Sequence, residues 1–128
     1  MSQRKPLILV VEDDPSVQNL LTMLLEGEGF EVITARDGLE GLVKMELQHP
    51  SLMVLDLMMP NVSGDRMIEE IRSDPRLKSV PIIVVSGRHD VHDAFDDVLG
   101  EGNVFAKPLD PSKLIERVEE ILGAQGKR

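Results

Sequence analysis

The sequence contains no cysteine, no tryptophan and no tyrosine, and three phenylalanines are its only aromatic residues. Without cysteine the chain can form neither disulfide bonds nor thiolate metal sites, which is typical of a cytoplasmic protein, the compartment we expect. With so few aromatic rings, we expect neither stacking on nucleic-acid bases nor a ring-lined cofactor pocket.

Positive charge is also scarce, because 14 Lys and Arg residues stand against 23 Asp and Glu residues, for a formal charge of −9. This excess of negative charge argues against direct binding of nucleic acid or of an anionic membrane surface. Long hydrophobic runs are missing too, since the run Leu7–Val11 is followed at once by acids. We therefore expect neither a signal peptide nor a membrane span.

What the sequence does contain is the composition of an ordinary globular protein, with 41% hydrophobic and 29% charged residues. Its 128 residues are enough for one domain with a real core. We expect a single domain over residues 1–128, with its core over about 7–122 and a frayed tail over 123–128.

Five apolar segments alternate with five amphipathic ones along the chain. The predicted strands are Leu7–Val11, Phe30–Ala35, Leu52–Leu55, Pro81–Val85 and Val104–Ala106. The predicted helices begin at Asp14-Pro15, at Asp37-Gly38, near Met67, at Asp90 and at Asp110-Pro111. This alternation predicts an α/β fold, a doubly wound parallel sheet with right-handed crossovers. The five-stranded, flavodoxin-like (βα)5 arrangement with strand order 2-1-3-4-5 fits the length.

Two helix starts carry a strong local signal. Asp14-Pro15 and Asp110-Pro111 each combine an N-cap acid with proline at the first helical position. The first helix is expected to face the core with the apolar residues Val17, Leu20, Leu21, Leu24 and Leu25.

The apolar run before Asp56 ends abruptly in that carboxylate, which is the first residue expected to leave the buried strand. In a parallel sheet the carboxyl ends of all strands meet at one edge, and open α/β sheets bind ligands there. The residues expected at this edge are Glu12, Asp13 and Asp14 after the first strand, Asp56 after the third, Ser86 after the fourth and Lys107 after the fifth.

Carboxylates crowded together repel one another, and a divalent cation among them lowers that cost. An all-oxygen site with room for water suits Mg²⁺ better than a transition metal. The ammonium group of Lys107 and the hydroxyl group of Ser86 could bind an anion beside the metal, such as a phosphoryl group. Together these groups provide the charges and hydrogen-bond donors that phosphoryl transfer requires.

The motifs that carry this chemistry are Val10-Val11-Glu12-Asp13-Asp14, Asp56-Leu57-Met58-Met59-Pro60, Val85-Ser86-Gly87 and Lys107-Pro108. In order and approximate spacing, the chain resembles the receiver domain of bacterial two-component response regulators, of which the stand-alone chemotaxis regulator is the simplest type. The resemblance covers essentially residues 7–122, and the four motifs together are highly specific.

The resemblance implies a role for each residue at the edge. Asp56 would be the phosphoacceptor, and Glu12 and Asp13 the acidic pair. Magnesium would be held by this acidic pair, by Asp56 and by the backbone carbonyl of Met58. Ser86 would hydrogen-bond one phosphoryl oxygen and Lys107 would pair with another, whereas Asp14 is interpreted mainly as a helix cap.

The resemblance also implies partners. A histidine kinase or a histidine phosphotransfer protein would donate the phosphoryl group. A downstream protein would then bind the face made by the fourth predicted helix, the fifth strand and the last helix. The domain would catalyse its own phosphorylation and slow dephosphorylation without being an enzyme in the turnover sense. No output domain is expected in this chain.

One departure from the family concerns the switch. Many receivers carry an aromatic residue three positions before the lysine, where this chain has Val104. Phe105 is not an automatic substitute, because strand alternation sends neighbouring side chains to opposite faces.

Three other functions remain as alternatives. A haloacid dehalogenase-type phosphatase would need a second acid where Met58 stands, and a flavodoxin-like cofactor binder would need a phosphate loop where the acids follow the first strand. An inert interaction domain that has lost phosphorylation is the stronger rival.

Individual residues also have plainer interpretations. Glu12 and Asp13 could form a solvated acid run, Ser86-Gly87 a turn, and Lys107 a surface lysine. His89 and His92 could share a helix face, but no third histidine or cysteine stands near them, so no metal site is expected there.

Overall fold

Five short strands build the sheet, and all but the second are composed almost entirely of apolar residues. The strands are β1 (Leu7–Val11), β2 (Glu31–Ala35), β3 (Leu52–Asp56), β4 (Ile82–Ser86) and β5 (Val104–Ala106). The computed structural model describes residues 5–57, 64–87, 95, 99–100 and 102–123. The strands pair in parallel in the order β2-β1-β3-β4-β5, which confirms the predicted fold.

Four helices are described. They are α1 (Pro15–Gly27), α2 (Gly38–Gln48), α3 (Gly64–Ser73) and α4 (Pro111–Leu122). Most of the predicted helix that begins at Asp90 lies outside the described residues, except for Phe95 and Leu99, which are buried. No helix among the described residues is long and apolar enough to span a membrane.

Strand alternation divides the core into two layers. On one face of the sheet, Met45 of α2 and Met67 of α3 pack with Leu9 and Val11, in what we call the α2–α3 core. On the other face, α1 and α4 pack on the sheet in the α1–α4 core, which contains Ile8, Val10, Leu21, Leu25, Leu114 and Val118. Both faces of the sheet are therefore covered, as a parallel sheet requires.

The predicted caps are present. The Asp14 carboxylate accepts a hydrogen bond from Ser16 N at 2.9 Å, and the Asp110 carboxylate accepts one from Ser112 N at 3.0 Å. Proline follows each cap at the start of the helix. The N-cap of α2 is Asp37, whose carboxylate accepts from Glu40 N at 2.8 Å. Each cap satisfies an N–H group that has no partner within its helix.

Two details of the prediction were wrong. Asp56 and Ser86 are the last residues of their strands instead of the first residues beyond them, because β3 pairs with β4 as far as Asp56–Val85 and β4 with β5 as far as Ser86–Ala106. Leu20 does not face the core, since 50% of its surface is exposed. The apolar stripe of α1 is narrower than the sequence indicates, because Leu21 and Leu25 alone are fully covered.

Close packing of α2 depends on Gly41, which belongs to no motif that the sequence pattern singles out. A Cβ atom at Gly41 would lie 2.6 Å from the Met67 Cε atom and 3.1 Å from a Val11 methyl group. Glycine therefore lets the α2 backbone approach β1 and α3 closely.

Candidate functional site

Three carboxylates meet at the carboxyl edge of β1 and β3. Val11 pairs with Leu55, so Glu12 and Asp56, the next residue of each segment, follow at the same level. One oxygen each from Glu12, Asp13 and Asp56 lie within 4.8 Å of one another. Asp56 and Glu12 are buried and Asp13 is exposed, so the cluster has an inner side within the protein and an outer side in water.

Glu12 is held in place by backbone groups. Its N–H donates to the Ala35 carbonyl at 3.0 Å, and its carboxylate accepts from Asp14 N at 3.1 Å. Burial raises the pKa of Glu12 from 4.5 to about 7, the Asp14 N–H opposes that rise, and the charge of Asp56 adds to it. This burial contradicts the interpretation of Glu12 as part of a solvated acid run.

Lys107 approaches the cluster from the other side of Asp56. Its ammonium nitrogen lies 3.5 Å from Asp56 Oδ2, and its backbone N–H donates to the Ser86 carbonyl at 2.9 Å. Ser86 itself is fully buried at the end of β4. The structure therefore brings Glu12, Asp13, Asp56, Ser86 and Lys107 to one edge, as predicted, and gives Lys107 a fixed anchor there.

Gln18 also belongs to this region, although it is part of none of the predicted site motifs. Its side-chain amide donates to the Glu12 carbonyl at 3.0 Å and to the Ala35 carbonyl at 3.2 Å. The same amide thus links α1 to the residue after β1 and to the end of β2. In the sequence, this role could have been inferred only from the position of Gln18, a polar residue between the apolar residues Val17 and Leu21 on the core side of α1.

The neighbouring residues Val104 and Phe105 of β5 lie on opposite faces of the sheet. Val104 is buried in the α2–α3 core together with Phe95 and Leu99, whereas Phe105 packs against the α1–α4 core. The prediction that these neighbours occupy opposite faces is confirmed. Met58, His89 and His92 lie outside the described residues.

The donor set fits a magnesium ion. All three side chains offer carboxylate oxygens, which are the ligands that Mg²⁺ prefers. Burial and, to a lesser extent, the charge of Asp56 raise the pKa of Glu12, so the charged form of this carboxyl is costly, and a divalent cation would offset that cost. The exposure of Asp13 leaves an open side for the water ligands that Mg²⁺ usually keeps.

The comparisons with known proteins agree with this geometry. The family model of the response regulator receiver domain matches residues 8–119. The chain belongs to this family. A signalling domain of the two-component type therefore explains why acids, hydroxyl and lysine gather at one edge of the sheet.

Solved structures share the receiver fold over most of the chain. A putative response regulator from Chloroflexus aurantiacus superposes with a TM-score of 0.85 at 29% identity, covering 93% of this chain and 98% of that one. A response regulator receiver protein from Pseudomonas putida gives a TM-score of 0.81 at 34% identity, with 93% and 99% coverage.

Curated relatives of this receiver domain are longer proteins. The probable transcriptional regulator ycf27 of Cyanophora paradoxa is 37% identical over 123 residues, which cover 95% of this chain and 50% of that protein. Hybrid signal transduction histidine kinase D of Dictyostelium discoideum is 36% identical over 119 residues, which cover 92% of this chain and 8% of that protein. The chain thus spans half or less of the length of these two relatives.

Proposed function

We propose that this receiver domain accepts a phosphoryl group on Asp56. The observation that carries the proposal is the placement of the Asp56 carboxylate, which is buried beside Glu12 and Asp13 and lies 3.5 Å from the Lys107 ammonium. Acids on one side and a cation on the other create the charge pattern that phosphoryl transfer needs.

In the proposed reaction, an Asp56 carboxylate oxygen attacks the phosphorus atom of a phosphohistidine. The P–N bond breaks and the imidazole leaves, while an O–P bond of an acyl phosphate forms. Lys107 would pair with one phosphoryl oxygen, and the Ser86 hydroxyl would donate to another. This chain then supplies the groups that catalyse its own phosphorylation, but each chain is consumed as an acceptor until its acyl phosphate is hydrolysed.

Magnesium is the proposed cofactor. Glu12, Asp13 and Asp56 would hold it, with the Met58 carbonyl as a further oxygen ligand expected from the family resemblance. When bound, Mg²⁺ supplies positive charge that offsets the charge of the phosphoryl oxygens. The side chains of this protein would position the ion, and the burial of Asp56 and Glu12 would limit water on its inner side.

A histidine kinase or a histidine phosphotransfer protein is the proposed donor. The proposed output is a protein contact at the face made by the segment around Phe95 and Leu99, by β5 and by α4, without direct binding of nucleic acid or membrane. Val104 at the usual aromatic position is buried, so the signal would have to leave this face by packing changes that do not use an aromatic ring there.

The test is incubation with acetyl phosphate and Mg²⁺, followed by intact-mass measurement. We expect one phosphoryl adduct that is stable in acid, labile in base and dependent on Mg²⁺. Asp56→Asn should lose the adduct, whereas Asp74→Asn, which removes a carboxylate at the end of α3, should keep it. Unchanged labelling of Asp56→Asn would place the acceptor elsewhere, and absence of labelling in the wild type would favour the inert interaction domain.

A further inference from the structure

The outer side of α2 carries an apolar stripe that the fold leaves exposed. Leu39, Val43 and Leu47 expose 58%, 49% and 72% of their surfaces. Their spacing of four residues places them in one row along the helix. Gly41 and Met45, on the opposite side of α2, are buried against the sheet. A helix that is apolar on both sides normally has both sides covered, so the outer row points to a binding partner.

This row lies far along the sheet from the proposed output face. Helix α2 packs on β1 and β2, whereas β5 is at the other edge of the sheet. Beside the row, α2 and α3 enclose a groove of about 190 Å³, which is lined by Leu42, Val43, Glu46, Glu70, Asp74 and Leu77. The row and the groove share Val43. We call the exposed row Leu39, Val43 and Leu47, together with the groove beside it, the strip.

Acidic side chains flank the strip. Glu40 and Glu46 stand on its two sides by helical position, and Lys44 is turned away because its ammonium donates to the Thr34 carbonyl. Glu46 and Asp74 share the guanidinium of Arg76, with N–O distances of 2.6 and 3.0 Å. The strip is therefore apolar along its centre. On one rim the Glu40 carboxylate accepts a hydrogen bond from Arg36 N at 2.6 Å, and on the other rim two carboxylates share one guanidinium, so both rims keep a net negative charge.

We propose that this strip is a docking site for a basic amphipathic helix of a partner protein. Such a helix would place apolar residues against Leu39, Val43 and Leu47 and lysines or arginines against Glu40 and Glu46. Burying apolar side chains supplies affinity, and opposite charges on the rim select the partner and its orientation.

A second copy of this chain fits the strip less well. A two-fold axis at Val43 would set Leu39 against Leu47 of the copy, which is favourable. The same axis would set Glu46 against Glu40 of the copy, and like charges placed together oppose association. The charge pattern therefore favours a cationic partner, and this site does not depend on the proposed role of Asp56.

The test uses a synthetic helical peptide with leucines in one row and lysines on both flanks, titrated into the ¹⁵N-labelled protein. Amide shifts should map to α2 and α3. Leu47→Ser should weaken binding by about tenfold, because one large apolar contact is lost. The matched control is Met23→Ser, which removes an apolar side chain on α1 that is also 71% exposed and should leave binding unchanged.

Charge is tested separately from apolar contact. The double variant Glu40→Gln, Glu46→Gln should bind the peptide several-fold more weakly and with less dependence on salt. A peptide with glutamates in place of the lysines should not bind. Melting temperatures establish that each variant is folded, and Asp56→Asn should bind the lysine peptide like the wild type.

Several results would overturn the proposal. Equal binding of the glutamate peptide, shifts that map to α1, or full binding by folded Leu47→Ser would each remove α2 as a basic-helix site. Sedimentation that shows dimers abolished by Leu47→Ser would assign the strip to self-association. Binding to anionic lipid vesicles without binding to the lysine peptide would assign it to a membrane surface.

Discussion

The ammonium nitrogen of Lys107 lies 3.5 Å from the Asp56 carboxylate, although 51 positions separate the two residues in the chain. The distance exceeds that of an ordinary N–H···O hydrogen bond, about 2.7–3.2 Å, so the pair is a loose electrostatic contact. Lys107 is nevertheless fixed by its own N–H on the Ser86 carbonyl. A loose ammonium on a fixed backbone can turn from Asp56 to an oxygen of an incoming phosphoryl group.

Replacing this lysine should separate phosphorylation from metal binding. We expect Lys107→Met to slow labelling by acetyl phosphate at least about tenfold, which corresponds to about 1.4 kcal/mol of transition-state stabilisation. Mg²⁺ affinity should not fall, since the variant removes a cation from the acidic cluster. Time-resolved intact mass and Mg²⁺ titration measure the two effects. Lys113→Met, on an exposed position of α4, is the charge-matched control, and equal labelling rates in both variants would contradict the role of Lys107.

Neutralising Asp13 should lower Mg²⁺ affinity and spare stability, whereas neutralising its neighbour Asp14 should lower stability and spare Mg²⁺ affinity. Asp13→Asn should weaken Mg²⁺ binding and leave the metal-free protein as stable as the wild type or more so, because one of three mutually repelling carboxylates is gone. Thermal melts with and without Mg²⁺ measure this, since a ligand of the folded state raises the melting temperature. A clear loss of metal-free stability in Asp13→Asn would show that the residue is structural.

Asp14→Ala is the matched control for that experiment. It removes the cap that accepts from Ser16 N, which should cost about 1 kcal/mol of stability. Mg²⁺ affinity should stay nearly unchanged, because the backbone N–H of residue 14 still donates to Glu12.

Glu12 should make the metal-free protein less stable as the pH rises. Its pKa is 4.5 ordinarily and about 7 in the folded protein, so the folded state binds the proton more tightly than the unfolded chain. The free energy of unfolding should then fall between about pH 4.5 and pH 7, by on the order of 3 kcal/mol in total. Denaturant titrations of wild type and Glu12→Gln across this range measure the difference. Parallel pH profiles of the two proteins would rule out this contribution, and saturating Mg²⁺ should flatten the wild-type profile.

Gln18 should act on the site through the backbone. Gln18→Leu removes the donor to the Glu12 and Ala35 carbonyls, and we expect a several-fold loss of Mg²⁺ affinity with about 1 kcal/mol of lost stability. Thr22→Val is the control, because the Thr22 hydroxyl donates only to the Gln18 carbonyl within α1 at 2.8 Å. If both variants lost Mg²⁺ affinity equally, the effect would come from the stability of α1 and not from positioning of Glu12.

Much of the fold follows from local signals in the sequence. Apolar runs bounded by acids and prolines gave the strands to within one residue at most ends, and the acid–proline pairs at Asp14 and Asp110 located two helix starts. These signals are local, because a cap bonds to N–H groups only two or three residues away. The sequence pattern also predicted which residues meet at the carboxyl edge, because a parallel sheet brings all its strand ends to one edge. These residues are Glu12, Asp13, Asp56, Ser86 and Lys107.

The sequence by itself thus determined the strand order, the caps and the membership of the acidic edge. Only the tertiary structure decided which of those groups are buried, because burial depends on neighbours from distant parts of the chain. It buried Glu12 and raised its pKa, exposed Leu20 and the outer row of α2, and made Gln18 a link between two strand ends. Periodicity shows that a helix has an apolar side, but the width of the covered stripe is set by how closely the helix lies on the sheet, which for α2 depends on Gly41.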